Sequence, residues 1–243
     1  MRSFDYIESG KTLLTPHTTS LLAAIHEAKG RQSIQTTIRP DILGTLVAVA
    51  RIQSTDASNR IEGISTSDSR LNDLVSEKVT PRNRNEEEIA GYRDALSVIH
   101  ESHDYIPITP NVILQLHRDL FRHTPLTFAG HFKDSDNVII ERDAHGTSTV
   151  RFAPPSALVT PELIERACSA YTQAIRDGHT DPLLAIAMFI LDFTCIHPFN
   201  DGNGRMSRLL TLLMLCRNGY MVGKYISIEH LIEQSKSTYY EAL

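Results

Sequence analysis

The chain has 243 residues, and its 24 lysines and arginines against 29 aspartates and glutamates give a formal net charge of −5. Hydrophobic residues make up 41% and charged residues 22%, the balance of a globular protein built as one large domain or two small ones. A mildly acidic chain does not fit a dedicated nucleic-acid binder, which shows a basic face. The longest apolar run, Leu183 to Leu191, stops at Asp192, far short of the roughly 20 residues that cross a bilayer. The start, Met1-Arg2-Ser3-Phe4-Asp5-Tyr6, has no apolar signal core, so a cytoplasmic protein without a membrane partner is expected. Cys168, Cys195 and Cys216 lack metal-ligand spacing and fall in apolar periodic segments, which predicts buried thiols.

In chain order, Ser20–Lys29 carries apolar residues at helical spacing. Asp41 is placed to cap a helix through Ile42, Leu46, Val49 and Ile52. A polar stretch follows from Ser54 to Ser69. Glu86-Glu87-Glu88 then opens a helix through Ile89, Tyr92, Leu96 and Ile99, and acidic residues suit a solvated first turn. Thr109-Pro110 begins a helix bearing Val112, Leu116 and Leu120. The single β signal is Val138-Ile139-Ile140 and Val150-Arg151-Phe152 around a turn-rich centre at 143–147, a hairpin with a long loop. Helices are expected again from Pro161 to near Gly178, from Asp181-Pro182 to Ile196, and from Arg205 to Arg217. The expectation is an all-α fold with one hairpin. The last residues, Tyr239 to Leu243, read as the middle of a helix.

The chemistry is concentrated in His197-Pro198-Phe199-Asn200-Asp201-Gly202-Asn203-Gly204-Arg205-Met206-Ser207-Arg208. Pro198 ends the preceding helix at His197. Gly202 and Gly204 permit a tight turn with exposed amides, and the helix that starts at about Gly204 offers an anion site at its N-terminus. Arg205 and Arg208 share a face in that helix's first turn, where its dipole disfavours cations. The rest of the helix is apolar nearly all round and must be buried, so two arginines at its mouth need anionic partners. A polyphosphate satisfies arginines, amides and dipole together. Asp201 adds a hard oxygen ligand of the kind Mg²⁺ takes beside substrate phosphates, and His197 is a base suited to neutral pH. The constellation implies nucleotide phosphoryl or nucleotidyl transfer. It is neither a P-loop nor a His-Glu-x-x-His zinc site.

These twelve residues resemble the signature of the Fic family, His-Pro-Phe-x-Asp/Glu-Gly-Asn-Gly-Arg-x-x-Arg, at every defined position. The resemblance implies a helical Fic-type bundle with a β-hairpin flap. The implied activity is a protein adenylyltransferase that moves AMP from ATP, with Mg²⁺, to a hydroxyl of a protein target, which could include the enzyme itself. On that resemblance His197 deprotonates the hydroxyl and Asp201 holds Mg²⁺. Gly202, Asn203 and Gly204 cradle the α-phosphate, while Arg205 and Arg208 hold the β- and γ-phosphates. Phe199 is a core anchor. Ser58-Asn59-Arg60-Ile61-Glu62-Gly63 looks like the family's inhibitory motif, in which Glu62 pairs with Arg208 and takes the place of the γ-phosphate. The alternative is a solvent-exposed helix end.

The flap, about 130–152, is implied to receive the target by strand addition through Asn137, Val138, Ile139 and Ile140. The alternative for Val138-Ile139-Ile140 is a core-facing strand. Family members favour arginine where Lys133 stands and glycines near Ile139 and Ile140. Tyr239 and Tyr240 are candidates for adenine contact, with aromatic core packing the equal alternative. The other histidines, such as His117, His123 and His145, read as surface or satisfied core residues.

The implied organisation is a regulatory helical segment over 1–85 and a catalytic domain over 86–243, in a trimmed or naturally shortened member lacking a further C-terminal domain. Homo-oligomerisation stays open. Two other functions compete: removal of AMP, with Glu62 positioning a water, and a nucleotide-sensing regulator without turnover.

Overall fold

The computed structural model describes residues 4–38, 40–142, 148–176 and 178–241. Among them the elements are α1 (Tyr6–Leu13), α2 (Pro16–Ile38), α3 (Pro40–Ile61), α4 (Asp68–Val75), α5 (Arg84–Ser102), α6 (Pro110–Leu120), β1 (Ile139–Arg142), β2 (Ser148–Phe152), α7 (Thr160–Arg176), α8 (Pro182–Ile196), α9 (Asn203–Arg217), α10 (Val222–Tyr225), α11 (Ile228–Gln234) and α12 (Lys236–Glu241). The fold is helical, with one two-stranded antiparallel sheet. β1 and β2 pair Ile140 with Val150 and Arg142 with Ser148, with an irregularity between Ile139 and Ile140. The hairpin's expected turn centre, 143–147 with His145, lies outside the described residues.

Capping fixes most helix starts. Thr109 accepts from the Val112 N–H ahead of Pro110, and Asp181 accepts from the Leu183 N–H ahead of Pro182; proline at the first helical position forfeits only an N–H that has no intrahelical partner. α8 and α9 pack against each other at the centre. Their Phe189, Phe193, Leu209, Leu210 and Leu213 are buried with Leu96, Ile99, Ile113 and Leu120 from α5 and α6. α7 covers α8 from the other side. A satellite cluster of Leu71, Leu74, Val75 and Ile89 seats α4 on α5. Cys168 and Cys216 are buried and Cys195 partly so; burial pushes the Cys168 thiol up to about 12 and Cys216 to about 11.

The structure departs from the sequence pattern in two places. The polar stretch from Ser54 is the second half of α3, which runs unbroken to Ile61. Its amphipathic sense is inverted. Ile42, Leu46 and Val49 are 46%, 40% and 46% exposed, whereas Ser54, Thr55, Ser58 and Asn59 are fully buried. Hydrophobicity alone cannot predict this, because Ser58 in the buried half is bonded to an arginine, Arg208. The acidic run is not a solvated turn either. Glu86 and Glu88 are buried. Arg70 takes Glu86 through Nε and Nη2 at 3.0 and 2.6 Å, and the Arg82 N–H donates to it at 2.9 Å. Those bonds, Arg70 foremost, lower the Glu86 carboxyl to about 2. α1 and α4 had no expectation from sequence: each is only eight residues long.

Among the described residues no helix is long and apolar enough to cross a membrane.

Candidate active site

α8 ends at Ile196 because His197 turns into the left-handed region, φ 49° and ψ 63°, a conformation that non-glycine residues rarely adopt. Gly202, at φ 82°, then caps α9. A Cβ there would lie 2.8 Å from the Phe121 ring, so glycine is required twice over. Between them Asn203 staples the turn: its Nδ2 donates to the Phe199 carbonyl at 2.8 Å, and its Oδ1 accepts from the Phe199 N–H at 2.9 Å. The Asn203 side chain is therefore engaged by the loop, and what it can offer an anion is its backbone N–H in the first turn of α9. Phe199 is fully buried and stacks on the His117 ring at 3.7 Å between centroids, 1° from parallel.

His117 is a working part of this loop. The Gly130 N–H donates to its Nδ1 at 2.9 Å, which leaves the proton on Nε2, facing the Asp201 carbonyl at 3.1 Å. Burial lowers this imidazole to about 4, so it is neutral and its tautomer is fixed. His123 pairs with Asp94 at 2.7 Å.

The His197 imidazole is also held below its usual range. Burial is the main cause and the Lys133 ammonium adds to it, while the Thr194 backbone and the Glu62 charge oppose. It is thus biased toward the unprotonated form that a base needs. Its Nδ1 is buried without a hydrogen-bond partner.

The structure brings the two arginines to carboxylates. Arg208 Nη2 donates to Glu62 Oε1 at 2.7 Å, its Nε to Ser58 Oγ at 2.8 Å and its Nη2 to the Ser58 carbonyl at 2.9 Å. The Glu62 carboxylate also stands directly over Gly204, where any Cβ would collide with it. An anion therefore already sits at the N-terminus of α9, the position the helix dipole favours. Arg205 is different. Its side chain is only 1% exposed and lies 2.7 Å from Glu88 Oε2, with its guanidinium 5.0 Å from the Phe121 ring centre. Asp201, 46% exposed at its side chain, is 3.8 Å from Arg205 and 3.7 Å from Arg84. Arg84 in turn donates to Glu88 at 2.8 Å.

Among the described residues no group of three His, Cys, Asp or Glu could hold a metal. One half-exposed carboxylate beside an anion site fits a cation that arrives with substrate phosphates, and does not fit a metal held by protein alone.

Residues 107–215, which include the whole signature, match the Fic/DOC family. The match supports a Fic-type protein. It is similar to a Fido domain-containing protein of Dictyostelium discoideum, 37% identical over 90 residues, 35% of this chain and 58% of that protein. It is also similar to the protein adenylyltransferase fic-1 of Caenorhabditis elegans, 28% identical over 56% of this chain and 25% of that protein. The matches thus span less than two thirds of these relatives' own length. A Fic domain containing signaling protein from Bacteroides thetaiotaomicron shares the fold, with a TM-score of 0.73 and 23% identity over 89% of this chain and 79% of that one.

Asn137 and Val138 precede β1, while Ile139 and Ile140 lie in it. Val138 and Ile140 are 53% and 54% exposed, so neither is a core-facing position. Asn137 points back to the signature turn, its Nδ2 3.3 Å from the Phe199 carbonyl. Tyr239 on α12 lies against Ser207, Arg208 and Glu62, and burial raises its phenol; the side chain of Tyr240 lies outside the described residues. α11 and α12 also hold the end of α3. Arg60 Nε pairs with Glu233 at 3.1 Å and Lys236 Nζ donates to the Ile61 carbonyl at 3.1 Å.

Sequence reasoning missed Glu88 and the partners of Lys133 and Asn137, while His117 is the satisfied core residue it allowed. Only Glu88 left a signal: Arg84 and Glu88 are four apart, a helical ion-pair spacing.

Proposed function

We propose that this chain transfers AMP from ATP to a hydroxyl of a protein target and is held in check by Glu62. One observation carries the reading: the Glu62 carboxylate lies on Arg208 and over Gly204, at the N-terminus of α9. A triphosphate bound to that helix end competes with it for the same donor and the same space.

In the reaction His197 takes the proton of the target hydroxyl, and the oxygen attacks the α-phosphorus as the bond to pyrophosphate breaks. The first-turn amides of α9 face the charge that develops on the α-phosphate. Arg208, once released from Glu62, meets the terminal phosphates. Arg205 contributes its charge from beneath, paired with the Glu88 carboxylate. Asp201 would hold Mg²⁺, which neutralises phosphate charge when bound. The edge of β1 offers main-chain groups to an extended target segment, with Ile139 and Ile140 shaping its seat.

The test is labelled ATP with Mg²⁺ and a cell lysate, comparing the native chain, Glu62→Gly and Glu62→Gly/His197→Ala. The first variant labels itself or a lysate protein and the second does not. The reading fails if Glu62→Gly, folded, labels nothing. A second reading draws on the Glu62 charge reaching His197: a carboxylate and an imidazole that feel each other could together activate a water on an AMP ester. Offering an AMP-modified protein to the native chain separates the two directions.

A further inference from the structure

Four consecutive carbonyls that frame the base are all bonded from the root of the flap. The Ile196 carbonyl accepts from Lys133 Nζ at 3.1 Å and the His197 carbonyl from Asn137 Nδ2 at 3.5 Å. The Pro198 carbonyl accepts from the Lys133 N–H at 2.8 Å and the Phe199 carbonyl from Asn137 Nδ2 at 3.3 Å. Lys133 Nζ also donates to Asn137 Oδ1 at 3.0 Å, which joins the two side chains into one unit.

Lys133 is 3% exposed. A buried ammonium is costly unless it is compensated, and here its compensation is mainly backbone carbonyl at the C-terminal end of α8, where the helix dipole favours a cation. The turn it grips contains a histidine in left-handed backbone, a sparsely populated state that persists only when its surroundings over-determine it.

We propose that Lys133 and Asn137 are positioning residues for His197. The flap root clamps the turn that carries the base, so the strand that would receive the target and the imidazole that would take its proton keep a fixed geometry. The proposal rests on the AMP-transfer reading for its catalytic consequence. The charged groups that reach His197 are Lys133 from the flap root and Glu62 just past the end of α3, and Asp136 faces Lys133.

The experiment uses the full chain carrying Glu62→Gly, with Lys133→Met, Lys133→Arg or Asn137→Ala added. It reads transfer rate at saturating ATP, ATP affinity by calorimetry, and the titration of the His197 ring by NMR. Lys133→Met lowers the rate about 100-fold, the scale of a small misplacement of a reacting group, while ATP affinity changes less than about 3-fold, the pattern of a group that acts on turnover and not on binding. Lys133→Arg recovers most of the loss, and in Lys133→Met the His197 titration moves up. Asn137→Ala, at a half-buried position that empties little core, lowers the rate in the same direction. The proposal is overturned if Lys133→Met transfers within about 2-fold of its parent, if its His197 titration is unchanged, or if rate and ATP affinity fall together without rescue by arginine. Should the Glu62→Gly parent itself transfer no AMP, the functional reading fails, and the His197 titration alone then decides whether the clamp exists.

Discussion

Gly204→Ala isolates the contact on which the inhibitory reading depends. Gly204 lies in the first turn of α9, and its backbone is not in the left-handed region, so alanine fits the chain there. Helix propensity favours the change by about 0.5–1 kcal/mol. The new methyl, however, takes the space of the Glu62 carboxylate. Displacing that group breaks the 2.7 Å bond to Arg208, a charge-assisted contact worth about 1.5–3 kcal/mol. In the native chain Gly204→Ala is therefore net destabilising by about 1 kcal/mol. In Glu62→Gly the same change has nothing to displace and stabilises by about 0.5–1 kcal/mol. The cycle gives a coupling near 2 kcal/mol, well above the scatter for independent sites. Urea unfolding followed by far-UV circular dichroism measures it, since the chain has no tryptophan to report by fluorescence. Additive effects of the two changes would refute the placement of Glu62 at this helix end.

Three further outcomes follow from the same geometry. Glu88→Ala leaves Arg205 buried without its nearest carboxylate and costs about 3–5 kcal/mol; Glu88→Leu combined with Arg205→Met is less costly than the single change, by the same unfolding assay. His100 and His117 are each lowered to about 4 by burial, so between pH 6.5 and 4 the unfolded chain binds more protons and stability falls as the pH drops. At about 1.4 kcal/mol per pH unit for each group the loss reaches about 3 kcal/mol apiece, visible as a falling urea midpoint that His100→Gln makes shallower. Phe199→Ala removes a fully buried ring from the His117 stack and costs about 3–5 kcal/mol, with loss of labelling in a Glu62→Gly background because the turn that carries His197 loses its anchor.

The parts of the site that could be read from sequence are those whose residues have no other use. Pro198, Gly202 and Gly204 leave the backbone few options, and arginines in a helix's first turn above an apolar stretch demand an anion. From these the turn, the start of α9 and the need for carboxylates are all legible. Which carboxylates supply that need is not legible from periodicity or spacing: Glu62 is reached only through the resemblance of residues 58–63 to the inhibitory motif, and Glu88 not at all. Glu62 is 146 residues from Arg208, and Glu88 sits in a run of three glutamates of which only the middle one faces water. α3 shows the limit most sharply. Its Ser58 is buried against Arg208, whereas Ile42, Leu46 and Val49 are left outward. Periodicity measures how a helix meets an apolar core and says nothing of one that meets a buried charge. The flap clamp was hidden for a related reason. Lys133 and Asn137 act through backbone carbonyls, which every residue has and no motif encodes.

The ties at the end of α3 impose an order on biosynthesis. Glu62 leaves the ribosome long before Arg208, and Glu233 and Lys236, which fasten the neighbouring Arg60 and Ile61, come later still. At about 5–20 residues per second, the segment that carries Glu62 waits on the order of ten seconds or more for its partners. During translation the fastening of the end of α3 is thus among the last contacts to close, and a nascent chain held before α11 is made has α9 complete and the residues beside Glu62 unfastened.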